Sequence, residues 1–577
     1  MNYHKILFSF LAIFFLSVLS KDENEADGTI LKQPRLYKVA VVGGGIGGAA
    51  FIHFFNQLPK EHQVQIDVYE ANYKVRLEKI NYVVCLFNVS KANNTRNENM
   101  LNKIEIGASI FIGENYWVHE LSKSYGLTAN RTQSDPKNKK GDFGIWDTKN
   151  EEWMFLPKKN ILSSLLTEES QINQLTDGLY TFWHFSPKKF LDFAALAKNF
   201  ISRFRKYYTE WTNQSFPNAI DFWKFSDMFD ATQQNCSTYL MEHLNIDSLS
   251  HPILNEFVLS LNRGNYNQKL DTNALVCLTS MASVVGGSNE IYSIVEGNQA
   301  LVDRMIRNYI PRERIFLKHD IFSIKKLKKK TDDDYGYQLY LEDKRKTRED
   351  VQRIIALKLD PEKKENRKWR ERFYDFVVIA TPLYQSKIKF LGDFDQHTHE
   401  QMALAKDGLP YKKVHTTFIQ GRLNTKYFFK SESDETKRTQ MRDSLKTIGV
   451  GNIFNNKTLF NLIGKWSDHS GLQHPLYKIF SDEALSDEDL NTIFIQDTHK
   501  FIKKHVWKGA YPKYGIKAVF PDIVLDDGGI YYNNAIEAGT SAMEVMILAG
   551  KNTALLFHQH LTKIHSNSQH SQTKDEL

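Results

Sequence analysis

The chain has 577 residues, 41% of them hydrophobic and 25% charged, with 75 basic against 68 acidic side chains and a net charge of +7. That length exceeds what a single hydrophobic core supports and predicts two interwoven domains. The positive excess sits in local runs such as Lys325–Lys330, which reads as a solvated face and argues against a nucleic-acid partner.

His4 and Lys5 precede a nearly unbroken apolar run, Ile6–Leu19, and Val18-Leu19-Ser20 offers a cleavage site before the charged Lys21–Glu25. Residues 1–20 therefore read as a signal peptide, too short for a comfortable membrane span, with an uncleaved anchor as the alternative. No later stretch has the length and apolarity of a transmembrane helix.

Tyr37–Val42 is a short β-rich run. Gly43-Gly44-Gly45-Ile46-Gly47-Gly48 follows, then an apolar helical stretch to about Leu58 and a second strand at Val64–Glu70. Strand, glycine-rich turn, helix and strand in this order make one βαβ unit. In that register Gly43 permits the tight turn, Gly45 lets the backbone approach a pyrophosphate, and Gly48 lets helix and strand pack closely. Phosphates then lie at the positive helix N-terminus. Glu70 ends the second strand, where its carboxylate can accept hydrogen bonds from ribose hydroxyls and disfavours a 2′-phosphate. A glycine-rich turn without ligand is the plainer alternative, and the unit alone does not choose between FAD and NAD.

Asn88–Asn102 is polar and predicts an exposed loop. From about Trp146 to Phe257 the chain is rich in aromatics and predicts a largely helical region. Phe193, Leu196, Phe200 and Phe204 recur there at helical spacing; such a stripe packs as core or walls an apolar ligand. Lys325–Arg372 predicts a β-meander with a solvated insertion, including a strand near Tyr337–Leu341. Tyr374–Ala380 and Gly529–Tyr532 read as later strands.

Tyr532-Asn533-Asn534-Ala535-Ile536-Glu537 leads into a helix over Ser541–Phe557 that carries Met543, Glu544 and Gly550. In two-domain flavoproteins a late strand and helix return to the FAD site, where the helix N-terminus can stabilise reduced flavin. This favours FAD, with Glu537 and Met543 as candidate contacts; an ordinary packing helix is the alternative. The chain closes on Lys574-Asp575-Glu576-Leu577, an ER-retention address for its receptor. With the leader, it places the expected location in the ER lumen. Cys85, Cys236 and Cys277 permit at most one intramolecular disulfide. Glycosylation sequons stand at Asn88, Asn93, Asn130, Asn213, Asn235 and Asn456. No metal site and no Ser-His-Asp arrangement is expected among the 19 histidines.

Further pieces, in their order along the chain, carry a resemblance. They are Glu105-Ile106-Gly107-Ala108-Ser109, Phe143-Gly144-Ile145, Arg263-Gly264-Asn265-Tyr266-Asn267-Gln268 and Glu296-Gly297-Asn298-Gln299-Ala300-Leu301-Val302. Thr416-Thr417-Phe418 with Gly421, Lys478-Ile479-Phe480-Ser481, and Ile536-Glu537 through Ala542-Met543-Glu544 complete the set. From about Val39 to Leu556 the chain resembles the prenylcysteine oxidases, also called prenylcysteine lyases. It departs from them at Asn298-Gln299, where the family has Gly-Asn, and at Lys74-Val75-Arg76, where such flavoproteins carry Gly-Gly-Arg. Arg76 is still a candidate pyrophosphate contact.

The resemblance implies an α/β, amine-oxidase-like two-domain flavoprotein. A Rossmann-type FAD-binding domain (37–145, 286–382, 521–558) would interleave with an α+β substrate domain (146–285, 383–520), followed by a tail at 559–577. It implies non-covalent FAD and a small apolar thioether substrate, S-farnesyl- or S-geranylgeranyl-cysteine. Hydride would leave the carbon beside sulfur for flavin N5. Water would add, the hemithioacetal would collapse to cysteine and a prenyl aldehyde, and molecular oxygen would be reduced to hydrogen peroxide. No protein nucleophile is required, so no catalytic residue is assigned. Another amine-oxidase-type FAD oxidase and a catalytically inactive ER prenyl-lipid binder are the alternatives; the family's association with lysosomes supplies the alternative location.

Overall fold

The computed structural model describes residues 35–60, 62–72, 86–87, 104–105, 107, 110–131, 142–156, 183–285, 291–328, 335–343, 369–467, 473–527 and 529–575. The leader, Lys74–Arg76, Asn88, Asn93 and the final Glu576-Leu577 lie outside the described residues.

The apolar run of β1 (Leu36–Val42) is that of a strand buried on both faces, with Val39, Ala40 and Val41 fully enclosed. It leads through α1 (Ile46–Gln57) into β2 (Gln63–Glu70), its parallel neighbour. On its other side β1 pairs in parallel with β3 (Phe376–Ile379), which in turn pairs with β4 (Ile530–Tyr532). Ile315–Leu317 extends the sheet beyond β2, and Val524–Asp526 closes its other edge antiparallel. The chain thus leaves β1 in one direction and returns later on the opposite side. This is the switch point at which an open α/β sheet leaves a crevice beyond its carboxyl ends.

His319–Lys328, Tyr335–Asp343 and Trp369–Tyr374 form the expected antiparallel meander. Two details differ from the sequence reading. The strand expected over Tyr374–Ala380 divides at Asp375, whose N–H donates to the Lys38 carbonyl while its carboxylate accepts from the Lys38 N–H. That grip turns the chain from the meander into the parallel sheet. Lys326, expected on a solvated face, takes the inward position of an alternating strand and pairs with buried Asp526 at 2.7 Å. The boundary expected at 382 also moves. Lys389–Leu391 joins the meander in parallel, and the helix Gln396–Asp407 packs beside it, its Gln401 accepting from the Asp522 N–H.

The second unit is a seven-stranded sheet under a helical layer. Its strands run Lys500–Pro512, Tyr411–Gln420, Leu476–Ser481, Leu462–Ser467, Leu445–Val450, Asp142–Asp147 and Glu152–Phe155 in spatial order. Trp146 therefore sits in a hairpin strand, not at the start of a helical region. The hairpin turns at Glu151, which takes a positive φ. Among the described residues the helices of this unit begin with α3 (Pro187–Thr209), close to α2 (Tyr116–Ser124) of the first unit. They continue with α4 (Leu259–Tyr266) and α5 (Ala274–Val285). A Cys236–Cys277 disulfide ties the helix Cys236–Leu244 to α5.

The last helix, α6, spans Met543–Asp575, so the expected tail continues a helix for most of its length. The chain has no proline or glycine after Gly550 to stop it. At Gly550 it lies on α1 so closely that an added Cβ would meet the Ala50 Cβ and the Gly47 carbonyl at 2.6 Å. No helix among the described residues is long and apolar enough to cross a membrane.

Candidate active site

The carboxyl ends of β1, β2, β3 and β4 meet at one edge of the parallel sheet. Gly43 leaves β1 at φ +112°, and a Cβ there would lie 2.5 Å from the Ala380 carbonyl, so only glycine fits. Gly48 is excluded from larger residues by the Gly43 carbonyl, 2.3 Å from its ideal Cβ. Gly45 differs: its backbone is extended and open to any residue. It caps α1 with no side chain and is followed by no acidic residue in the first turn. The first N–H groups of α1 are thereby left to an anion. Glu70 is buried and braces this turn. One carboxylate oxygen accepts from the Gly44 N–H at 3.0 Å, the other from the Asn72 backbone and side chain at 2.9 and 2.7 Å.

Three buried polar atoms at the same edge have no hydrogen-bond partner: Thr381 Oγ1 beyond β3, and the Oδ1 atoms of Asn533 and Asn534 beyond β4. Buried groups are seldom left so. A polar dinucleotide against the Gly43–Gly48 turn would bring donors to this edge, so the residues present fit FAD.

Glu537 is fully enclosed and accepts from Tyr411 Oη at 2.6 Å, Asn534 Nδ2 at 2.7 Å and Ser541 Oγ at 2.7 Å. Burial pushes its pKa up against these three donors. These bonds lock the turn that feeds α6. Met543, the first residue of that helix, faces a cavity.

The cavity has a volume of about 520 Å³ and lies where the two units and α6 meet. Phe200, Ile201 and Phe204 of α3, Phe257 just before α4, Leu261 and Tyr266 of α4, Leu462 of the large sheet and Ala542–Val545 form most of its wall. The aromatic stripe of α3 therefore divides: Phe193 is core and Leu196 packs on it, while Phe200 and Phe204 reach the cavity. Tyr266 joins this wall to the turn before α6 by donating to the Ser541 carbonyl at 2.9 Å. Neighbouring Arg263 is buried and donates to the carbonyls of Val450, Gly451 and Asn455. Burial draws its pKa down to about 10, and its role is to fasten α4 to the sheet.

The wall and its surroundings also hold charged side chains. Glu544 accepts from the Trp117 and Val118 N–H groups at 2.8 and 3.1 Å, capping α2. Burial raises its pKa to about 7 despite those donors. Glu114 and Arg205 face the cavity 3.8 Å apart. On the large sheet, buried Lys478 donates to the Gly107 carbonyl at 2.7 Å, joining two of the pieces singled out above. Of the sequon residues, Asn130, Asn213 and Asn456 are exposed. Asn235 is half-buried and caps the helix Cys236–Leu244.

The profile of the prenylcysteine lyase family matches residues 168–570. A farnesylcysteine lyase of Arabidopsis thaliana is 27% identical over 530 residues, covering 91% of this chain and 89% of that protein. Prenylcysteine oxidase 1 of Bos taurus is 24% identical over 539 residues, with coverages of 90% and 88%. Among solved structures, putrescine oxidase bound to putrescine superposes with a TM-score of 0.53 at 11% identity, over 91% of this chain and 99% of that one. That likeness establishes a shared fold.

Proposed function

The chain belongs to the prenylcysteine lyase family, and from that premise we propose that it is an FAD-dependent oxidase cleaving the thioether of S-prenyl-L-cysteines to a prenyl aldehyde, free cysteine and hydrogen peroxide. The observation that carries this reading is the cavity. Its apolar aromatic wall and the first turn of α6 enclose one space, and α6 also packs on the glycine-turn helix of the nucleotide sheet.

FAD, when bound, supplies the hydride acceptor and passes the electrons to molecular oxygen. The chain's own residues hold and orient. Gly43–Gly48 and the N-terminus of α1 would take the pyrophosphate, while Glu70 supports the ribose side of the turn. Phe200, Phe204 and Phe257 bury the isoprenoid, gaining about 0.8 kcal/mol per CH₂-sized group before ordering costs. A polyamine has no uninterrupted isoprenoid-sized apolar chain to bury against Phe200, Phe204 and Phe257, which disfavours an amine-oxidase reading. We take the flavin to be held non-covalently; in support, Cys236 and Cys277 bind each other, and neither Cys85 nor any histidine stands in a flavin-tethering motif of the sequence. Acid precipitation should leave flavin in the supernatant; flavin in the pellet refutes this. The disulfide also supports an oxidising compartment, in keeping with retention in the ER lumen through Lys574–Leu577.

The test of the reaction is anaerobic mixing with farnesylcysteine while flavin absorbance is followed. Bleaching by farnesylcysteine, but not by spermine or S-methylcysteine, is the expected result. FAD-loaded protein that farnesylcysteine does not bleach overturns the proposal.

A further inference from the structure

Glu114 precedes α2 and lines the cavity beside Phe204, Arg205 and Tyr208 of α3. One of its carboxylate oxygens, Oε1, is 3.8 Å from Arg205 Nη2, a charge contact beyond hydrogen-bond reach. The other, Oε2, is buried and has no hydrogen-bond partner. A carboxylate oxygen withdrawn from water without a donor is costly, the more so when charged. Nearby Glu544 shows the contrast, since both its oxygens are met by backbone N–H groups. Arg205 has a side chain 60% exposed, against 11% for Glu114. The pair therefore presents a sheltered anion next to an accessible cation, on a wall otherwise built of aromatic and aliphatic side chains.

An α-amino acid carries its ammonium and its carboxylate on one carbon, so its receptor needs an acid and a base side by side. We propose that Glu114 and Arg205 form the receptor for the zwitterionic head of the substrate. Glu114 takes the α-ammonium, and Arg205 takes the α-carboxylate in its planar fork. The assignment rests on the reading of the substrate as an S-prenyl amino acid. It makes these two residues determinants of specificity and gives them no part in bond breaking. The assignment also implies that prenyl alcohols and other lipids of equal length, which lack the charges the pair needs, bind more weakly.

The experiment measures equilibrium binding to anaerobic FAD-loaded enzyme, and aerobic peroxide release, for three compounds. These are S-farnesyl-L-cysteine, S-farnesyl-3-mercaptopropionate without the amine, and S-farnesylcysteamine without the carboxylate. Glu114→Gln should weaken the two amine-bearing compounds about tenfold to a hundredfold, the size of a lost charged hydrogen bond, and leave the mercaptopropionate unchanged. Arg205→Met should weaken the two carboxylate-bearing compounds and spare the cysteamine. In turnover the losses should fall on KM, with kcat retained. Equal effects on all three compounds, or none, overturn the assignment while wild-type peroxide release leaves the reaction standing. Selective losses in binding, with no turnover by the wild type, uphold the receptor and remove the reaction. Failure of all three compounds to bind removes both.

Discussion

Replacing Gly550 by alanine should loosen the cofactor before it loosens the fold. The new methyl would stand 2.6 Å from the Ala50 Cβ and the Gly47 carbonyl, and 2.7 Å from the Phe51 nitrogen, where ordinary contact begins at 3.4 Å. Two of these three atoms are backbone of α1, so the helices themselves must part. Overpacking of this kind costs about 1–3 kcal/mol, of which the better helix propensity of alanine returns roughly 1 kcal/mol. The net loss of stability is therefore modest. The displaced atoms, however, lie within one turn of the Gly43–Gly48 segment, and Gly47 also accepts from Asn533 Nδ2 at 3.1 Å. Moving them misaligns the N–H groups offered to the pyrophosphate, and flavin affinity should fall by about tenfold, or 1.4 kcal/mol. The assay is fluorimetric titration of apoprotein with FAD, alongside thermal unfolding. Gly515→Ala serves as control, since its Cβ meets only the Lys517 carbonyl at 3.7 Å. A Gly550→Ala protein with unchanged flavin affinity refutes the claim that this helix crossing sets the cofactor turn.

The raised pKa of Glu544 makes a stability prediction with a definite sign. Its carboxyl titrates near 4.5 when unfolded and near 7 when folded, so its contribution is full below 4.5 and is lost as pH rises through 7. Unfolding temperatures of the wild type should fall relative to those of Glu544→Gln between those limits; parallel curves contradict the assignment. Cys236 and Cys277 are 41 residues apart, for which chain entropy gives a stabilisation of about 4 kcal/mol. The double serine variant should unfold at markedly lower temperature, and an unchanged midpoint would count against the bond. Deletion of Lys574–Leu577 should release the protein from the ER; unchanged retention would show that the tail is not read.

The nucleotide-binding unit was legible because its signal is local. Strand, glycines, helix and acidic strand end occupy one segment, Leu36–Glu70, and their spacing carries the geometry. The late return of β4 and α6 was legible from the same logic at the other end of the chain. Glu114 and Arg205 were not, and Glu544, named as part of the last helix, gave no sign of the partners it caps. They meet only because α2, α3 and α6 converge, and no spacing in the chain records that meeting. Lys326 was misread because a run of lysines hides the strand alternation that turns one of them inward toward Asp526. The α3 stripe was read as core or wall; it is both, since one helix passes from the core at Phe193 to the cavity at Phe204.

The order of the strands has a consequence for how the protein is made. β1 and its glycine turn leave the ribosome first, but β4 and α6, which complete the same sheet and cover the same turn, are encoded at residues 530–575. A nascent chain has no finished cradle for the flavin until β4 and α6 have been translated. Cofactor capture is therefore a late step of maturation, and any message truncated upstream of β4 yields a chain that cannot complete the site.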